Sequence, residues 1–338
     1  MGGCYSGSYA YSSARTRAVR KKPSIPSWKI NLKSFADSGD ISSLVTAYKR
    51  FFNSRKSGGF FANVAQSLGV KNVADIPKEF PETEYEVKFN VVPYDGNSEE
   101  PSVIRYLDAF DFPVGPVSRF LKDPVNTFAV GINHFIGDNR DEKLVVIEKG
   151  GALYLKEKGL VTPVKFGIPY EELVIKRTES RYKVNQNEAK ERLKLVRQEQ
   201  GVDYRGKIRK EKGDAFLLDT SDGRIYSMSF TRAHLTKPGD IGESAIQRQL
   251  ELEYAGYLPG FKGFEKDSEK QIVRNMVDLA KYTSVMYCDS PIADGWRMNV
   301  SPTSERKYDF VSGKSVNCLK NQQSFQLPSK SLELALLN

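Results

Sequence analysis

The sequence predicts an α+β protein, mainly antiparallel β, whose strands form a closed or nearly closed barrel with helices at its periphery. Three observations carry this. Two segments far apart in the chain alternate charged with apolar residues: Glu84-Tyr85-Glu86-Val87-Lys88-Phe89 and Leu250-Glu251-Leu252-Glu253-Tyr254. Further strand-like runs are separated by turn signals at Gly150-Gly151, Gly213-Asp214 and Ser221-Asp222-Gly223. Helical periodicity interrupts residues 82–285 at two places only. Many antiparallel strands with few helices favour closure, which removes sheet edges.

Strand side chains alternate faces with period two. Glu84, Glu86 and Lys88 therefore share one face, with Tyr85, Val87 and Phe89 on the other; Glu251 and Glu253 likewise oppose Leu250, Leu252 and Tyr254. The remaining strands are expected at 103–109, 143–149, 151–157, 172–184, 203–211, 214–220 and 224–232. Residues 186–200 read as a helix closed by Gly201, and residues 268–284 as another, with Ser268 and Gln271 in capping-box positions. Ahead of the barrel, residues 37–80 read as a helical appendage. Ile41, Leu44, Val45, Tyr48, Phe51 and Phe52 recur at helical spacing behind Asp40 as N-cap, and a short helix follows from Phe60 to Leu68. From residue 286 to 338 the periodicity fades, and that stretch reads as an irregular tail.

Composition narrows the function. At 338 residues and 39% hydrophobic content, the chain can bury a substantial core, and no apolar run approaches membrane-spanning length. Cys4, Cys288 and Cys318 are widely spaced and odd in number, which fits the cytoplasm or another reducing compartment. Most of the +9 net charge sits in residues 1–36, which lack Asp and Glu but carry Arg15, Arg17, Arg20, Lys21, Lys22, Lys29 and Lys33. This stretch reads as a flexible basic arm able to touch polyanions weakly. Met1-Gly2-Gly3-Cys4-Tyr5-Ser6 also fits an N-myristoylation pattern, and an Arg- and Ser-rich start resembles an organelle transit peptide. With only His134 and His234, histidine metal clusters are excluded; Cys-x-x-Cys and G-x-S-x-G signatures are absent.

Carboxylates on the inner faces of a barrel need water or a cation. Between the two glutamate strands lie basic residues at the same spacing: Lys156 and Lys158, Arg177 and Arg181 around Glu179, and Lys207 and Arg209. Unpaired buried charges cost several kcal/mol each, so such a lining makes sense as a polar channel rather than a core. Carboxylates suit Mg²⁺ or Mn²⁺, and Lys and Arg suit phosphate oxygens.

Glu84-x-Glu86-x-Lys88 resembles the first-strand signature of the CYTH-like, or triphosphate tunnel metalloenzyme, superfamily. Tyr106-Leu107-Asp108 is similar to that family's second strand, Tyr154-Leu155-Lys156 to its Thr-Leu-Lys strand and Arg177-x-Glu179 to its Arg-x-Glu segment. Lys207-Ile208-Arg209 resembles its later basic strand, and Glu251-x-Glu253 with the helix at 268–284 its closing elements. The resemblance covers residues 82–285. It departs at Val145 and Ile147, where the family commonly has two arginines, and in 224–230, where a late aspartate is missing.

The resemblance implies an eight-stranded tunnel barrel and a metal-dependent hydrolase of triphosphate-bearing substrates: inorganic triphosphate, a nucleoside triphosphate or the 5′-triphosphate end of RNA. It implies Mg²⁺ or Mn²⁺ on Glu84, Glu86, Glu251 and Glu253, with Glu86 and Glu253 also catalytic. Phosphate would be held by Lys88, Lys156, Arg177, Lys207 and Arg209, with Arg105, Lys149 or Arg232 replacing the missing pair. A phosphate-ligand or RNA-binding tunnel without turnover and an adenylate-cyclase-like enzyme are the competing expectations.

Overall fold

The computed structural model describes residues 25–54, 59–71, 75–93, 100–109, 119–123, 127–139, 142–200, 206–235, 247–261, 264–266, 268–289, 298–303, 306–309 and 314–317. The N-terminal lipidation motif, Arg15–Lys22, Cys4 and Cys318 lie outside these residues.

Eight antiparallel strands close a barrel. Around its circumference run β1 (Thr83–Pro93), β6 (Ile175–Val184), β5 (Ala152–Thr162), β4 (Glu142–Lys149), β3 (Thr127–Asn139), β7 (Gly206–Asp219), β8 (Arg224–Leu235) and β9 (Gln247–Tyr257). β9 pairs back onto β1, with Glu86 opposite Glu253 and Lys88 opposite Glu251. Two further strands extend the wall: β2 (Phe120–Lys122) on the end of β7, and β10 (Met298–Thr303) alongside Lys88–Pro93 of β1. β10 and the hairpin of β11 (Arg306–Asp309) and β12 (Lys314–Asn317) come from the stretch read as an irregular tail.

Further elements depart from the sequence reading. Residues 103–109, expected as a strand, form helix α4 (Val103–Asp108), capped by Ser102. Val103, Tyr106 and Leu107 are buried at helical spacing, and Tyr106 stacks on Phe230 of β8 at 4.0 Å. The expected strands 203–211 and 214–220 are one strand, β7. Gly213 is not a turn residue but the place where α4 lies on β7; a Cβ there would meet Val103 at 2.8 Å. β3 was not anticipated. It fills the gap between β4 and β7 that closure requires.

The main core lies outside the barrel. Tyr85, Val87 and Phe89 of β1, Leu250, Leu252 and Tyr254 of β9, and Tyr226, Met228 and Phe230 of β8 pack against α4 and helix α6 (Glu269–Asp289) through Ile272, Val273, Met276 and Val277. A second core joins α1 (Ser27–Ser38), α2 (Ile41–Asn53) and α3 (Phe60–Ser67) to Leu218, Ile225 and Leu258 at the strand ends. Asp40 caps α2 as expected, accepting from the Ser42 and Ser43 amides, and Asp123 caps α3 through the Phe60 and Phe61 amides. α1 corrects the reading of residues 1–36 as a wholly flexible arm, because Trp28, Leu32 and Phe35 form a buried stripe. Its fourfold and threefold spacing is helical, but lysines between these residues mask it. A third helix-on-sheet contact places α5 (Gln186–Gln200) by Ala189 against Leu144, Val146 and Leu155. Among the described residues, no helix is long and apolar enough to cross a membrane.

Candidate active site

The outward core fixes the phase of every strand around the tunnel. With Tyr85, Val87, Leu250 and Leu252 buried outside, Glu84, Glu86, Lys88, Glu251 and Glu253 are left on the inner wall. A one-residue slip would reverse all of them, and the buried face forbids it. Arg177 lies opposite Glu84 on β6. Its Nε donates to Glu84 at 2.7 Å and its Nη2 to Glu86. Lys158 on β5 reaches both Glu84 oxygens at 2.7 Å and Glu179 at 2.9 Å, while Lys156 reaches Glu179 at 2.6 Å. Lys88 lies 3.1 Å from Glu86 and 3.6 Å from Glu251. Glu253 has Lys78 at 3.9 Å.

β7 supplies residues that the sequence reading missed. Ala215 and Leu217 sit in the outer core, so Lys210, Lys212 and Asp214 face inward. Lys212 lies 3.4 Å from Asp214, which accepts a hydrogen bond from Ser229 of β8 at 2.5 Å. Asp214 thereby brings a late carboxylate into the tunnel from β7 rather than from 224–230. The same phase corrects Arg209. It is 46% exposed on the outside and donates to Glu211, which also binds Arg232. Lys207 belongs to the same strand phase as Arg209; its side chain is outside the described residues. The signal was available, because carrying the alternation back from Ala215 and Leu217 through one unbroken strand selects Lys210 and Lys212. Arg105 is likewise outside the tunnel, exposed on α4, since Val103, Tyr106 and Leu107 take the buried side of that helix.

Burial and charge shape the ionisation. Burial works to raise the Glu251 carboxyl, but Lys88, Lys212 and Lys210 outweigh it and hold the group well below its usual range. Glu253 goes the other way, pushed up by burial and then by the charge of Glu84. Burial and the neighbouring cation Lys158 lower Lys156. Lys210 is pulled down to about 8, first by burial, and then by repulsion from Lys88, Lys156 and Lys158 that Glu251 offsets only in part. Lys158 and Lys212 go the other way: burial works to lower them, but Glu86 and Glu84 around the first and Asp214 and Glu251 around the second outweigh it and hold them charged.

The carboxylates offer hard oxygen donors of the kind Mg²⁺ and Mn²⁺ take. Glu253 is raised by burial first and then by the charge of Glu84, and a divalent cation would relieve that repulsion. In the present side-chain arrangement, no three Asp, Glu, His or Cys side chains among the described residues are grouped to hold an ion. Glu84 and Glu86 are engaged by Arg177 and Lys158 instead. The donor chemistry fits, and those ion pairs would have to open.

No family model and no curated protein matches the chain. Among solved structures it is similar to a conserved hypothetical protein from Pyrococcus furiosus, with 14% identity over 62% of this chain and 96% of that one, at a TM-score of 0.34. It is similar to Pct1 RNA triphosphatase of S. pombe at 10% identity over 61% and 84% of the two chains, TM-score 0.28. The inorganic triphosphatase NE1496 matches at 12% identity over 55% and 89%, TM-score 0.19. The fold itself is an eight-stranded antiparallel barrel with peripheral helices. Likenesses this distant carry no argument about chemistry, so what the tunnel does has to be read from its own side chains.

Val145 and Ile147 line this tunnel, opposite Lys156 and Tyr154 respectively. β4 therefore presents two aliphatic residues where the superfamily resemblance leads one to expect arginines. Neither Arg232, bound to Glu211 outside, nor Arg105 replaces them. The inward lysines of β7 lie on the neighbouring wall.

Proposed function

We propose that the protein hydrolyses triphosphate-bearing substrates with the help of Mg²⁺ or Mn²⁺. The single observation that carries this reading is the lysine cluster of Lys88, Lys156, Lys158, Lys210 and Lys212 facing Glu84, Glu86, Glu251 and Glu253 in one tunnel. Five lysines converging on one tunnel suit a polyanion, and a triphosphate brings enough charge to satisfy several at once.

In this reading Lys88, Lys156, Lys158, Lys210, Lys212 and Arg177 grip phosphate oxygens, Arg177 through its planar fork. Glu84, Glu86, Glu251 and Glu253 would hold the metal, which when bound neutralises phosphate charge and polarises a phosphoryl oxygen. One of these carboxylates, Glu86 or Glu253, would orient the attacking water and take its proton. The water oxygen bonds to the terminal phosphorus, the bridging P–O bond breaks, and the rest of the substrate leaves with the bond's electrons. Positioning and charge stabilisation supply most of the rate in such transfers.

A second reading, a tunnel that binds without turnover, is favoured by Val145 and Ile147. The test is product analysis with tripolyphosphate, ATP and 5′-triphosphorylated RNA, with Mg²⁺, with Mn²⁺ and with chelator. Release of orthophosphate dependent on metal supports the hydrolase. Binding of all three without any product replaces it with the binding module, and pyrophosphate from ATP alone points to a cyclase.

A further inference from the structure

The strand registers place one row of inward residues at a single level across five strands. Ile208 pairs with Asn133, Asn133 with Ile147, Ile147 with Tyr154 and Tyr154 with Lys183. One step along, Val145 pairs with Lys156 and Lys156 with Arg181. This arc differs from the rest of the lining. Its middle is aliphatic and aromatic, and the guanidinium of Arg181 lies over the Tyr154 ring at 4.8 Å.

Aliphatic side chains offer a phosphate no hydrogen bonds, and the charged oxygens would lose water against them. A tyrosine ring covered by a planar guanidinium is instead a stacking surface for a nucleobase. Asn133, opposite Ile147, has both a donor and an acceptor for a base edge. Lys156, one row from Tyr154, belongs to the lysine cluster, so a ring on the arc lies within a phosphate chain's reach of it.

We propose that this arc is a nucleoside subsite, and that the triphosphate taken by the tunnel is one carried on a nucleoside, either free or at the 5′ end of RNA. The proposal rests on the triphosphatase reading and narrows it. With Val145 and Ile147 on this wall, a bare triphosphate finds no grip there, and the group attached to it finds a seat.

The test compares KM and kcat for ATP, a 5′-triphosphorylated oligoribonucleotide and tripolyphosphate in wild type, Tyr154→Ala, Tyr154→Phe and Ile147→Arg, with circular dichroism to check folding. Calorimetric Kd values for ATP and tripolyphosphate are measured in parallel. Wild type is expected to prefer the nucleoside substrates. In Tyr154→Ala that preference, as a ratio of KM values, should fall roughly ten- to hundredfold, the worth of one stacked base, and Tyr154→Phe should keep it. Ile147→Arg should move the ratio the same way by favouring tripolyphosphate. A shift with RNA but not ATP assigns the subsite to the RNA end, and a shift with both assigns it to any nucleoside triphosphate. Ratios unchanged in folded Tyr154→Ala and Ile147→Arg overturn the subsite while leaving a triphosphatase standing. If wild type hydrolyses none of the three, the triphosphatase reading fails by itself. The Kd ratio then decides the subsite: a preference for ATP lost in Tyr154→Ala upholds it, and equal Kd values reject it.

Discussion

Arg177 stands directly opposite Glu84 in the β1–β6 ladder, and its Nε meets the Glu84 carboxylate at 2.7 Å with both side chains almost fully buried. Neither charge is tolerable there alone. Burial works to lower the arginine, yet Glu86 and Glu84 outweigh it and hold it firmly charged.

Removing one partner should therefore be costly. Arg177→Ala leaves two buried glutamates short of a cation and should lose about 3–5 kcal/mol of stability. Arg177→Lys keeps the charge without the fork and should lose less. Urea denaturation of the two variants checks the order; equal stability of Arg177→Ala and wild type would show the pair to be solvated.

Within the tunnel, the inward lysines should matter and the outward arginine should not. Lys210→Ala or Lys212→Ala should weaken tripolyphosphate binding by about 1.5–3 kcal/mol, roughly ten- to hundredfold, the value of a charge-assisted contact. Arg209→Ala, which loses only its contact with Glu211, should leave the affinity within about twofold. Titration calorimetry on the three variants distinguishes the two faces of β7.

Proton linkage follows from Lys210, whose ammonium is lowered from 10.5 to about 8, by burial first. A bound polyanion favours the charged form and raises that value again. Binding tripolyphosphate at pH 8–9 should therefore take up protons, and affinity should fall as pH rises through about 8. Below pH 7 the uptake from Lys210 should vanish, because the group is already charged. Calorimetry in buffers of different ionisation enthalpy measures the uptake, and Lys210→Arg should remove it.

The first helix is expected to be structural. Trp28 is buried and meets Phe51 edge-on at 5.1 Å, so Trp28→Ala should cost about 3–5 kcal/mol. Thermal denaturation checks it. An unchanged midpoint would mean that α1 is not part of the folded unit, as the arm reading of residues 1–36 supposed.

Much of the site was legible because alternation with a buried face is unambiguous. Glu84-x-Glu86-x-Lys88 and Glu251-x-Glu253 carry apolar partners between them, so their inward phase could be read from the residues alone. β7 failed the same reading for one reason: Gly213-Asp214 imitates a turn, and breaking the strand there shifted the phase of its basic half onto Lys207 and Arg209. That glycine serves α4, an element far upstream in the chain, since only a residue without Cβ lets Val103 approach. α4 itself carries Val, Ile and Tyr, residues with strand preference, and tertiary packing overrode it. Residues 127–139 hold two glycines and mixed polarity and gave no strand signal; their place comes from closure of the sheet.

The seam where β9 joins β1 also decides when the molecule can work. β1 is made early and β9 late, and Glu86 meets Glu253 only once the strands between them have found their neighbours. Joining such distant segments carries a loop-closure cost and slows folding. A chain interrupted before β9 would hold half of its carboxylates on an open edge. Assembly of the four-carboxylate wall therefore waits on completed closure, and a ligand spanning the seam should act as a clasp, raising the melting temperature in proportion to the logarithm of its concentration.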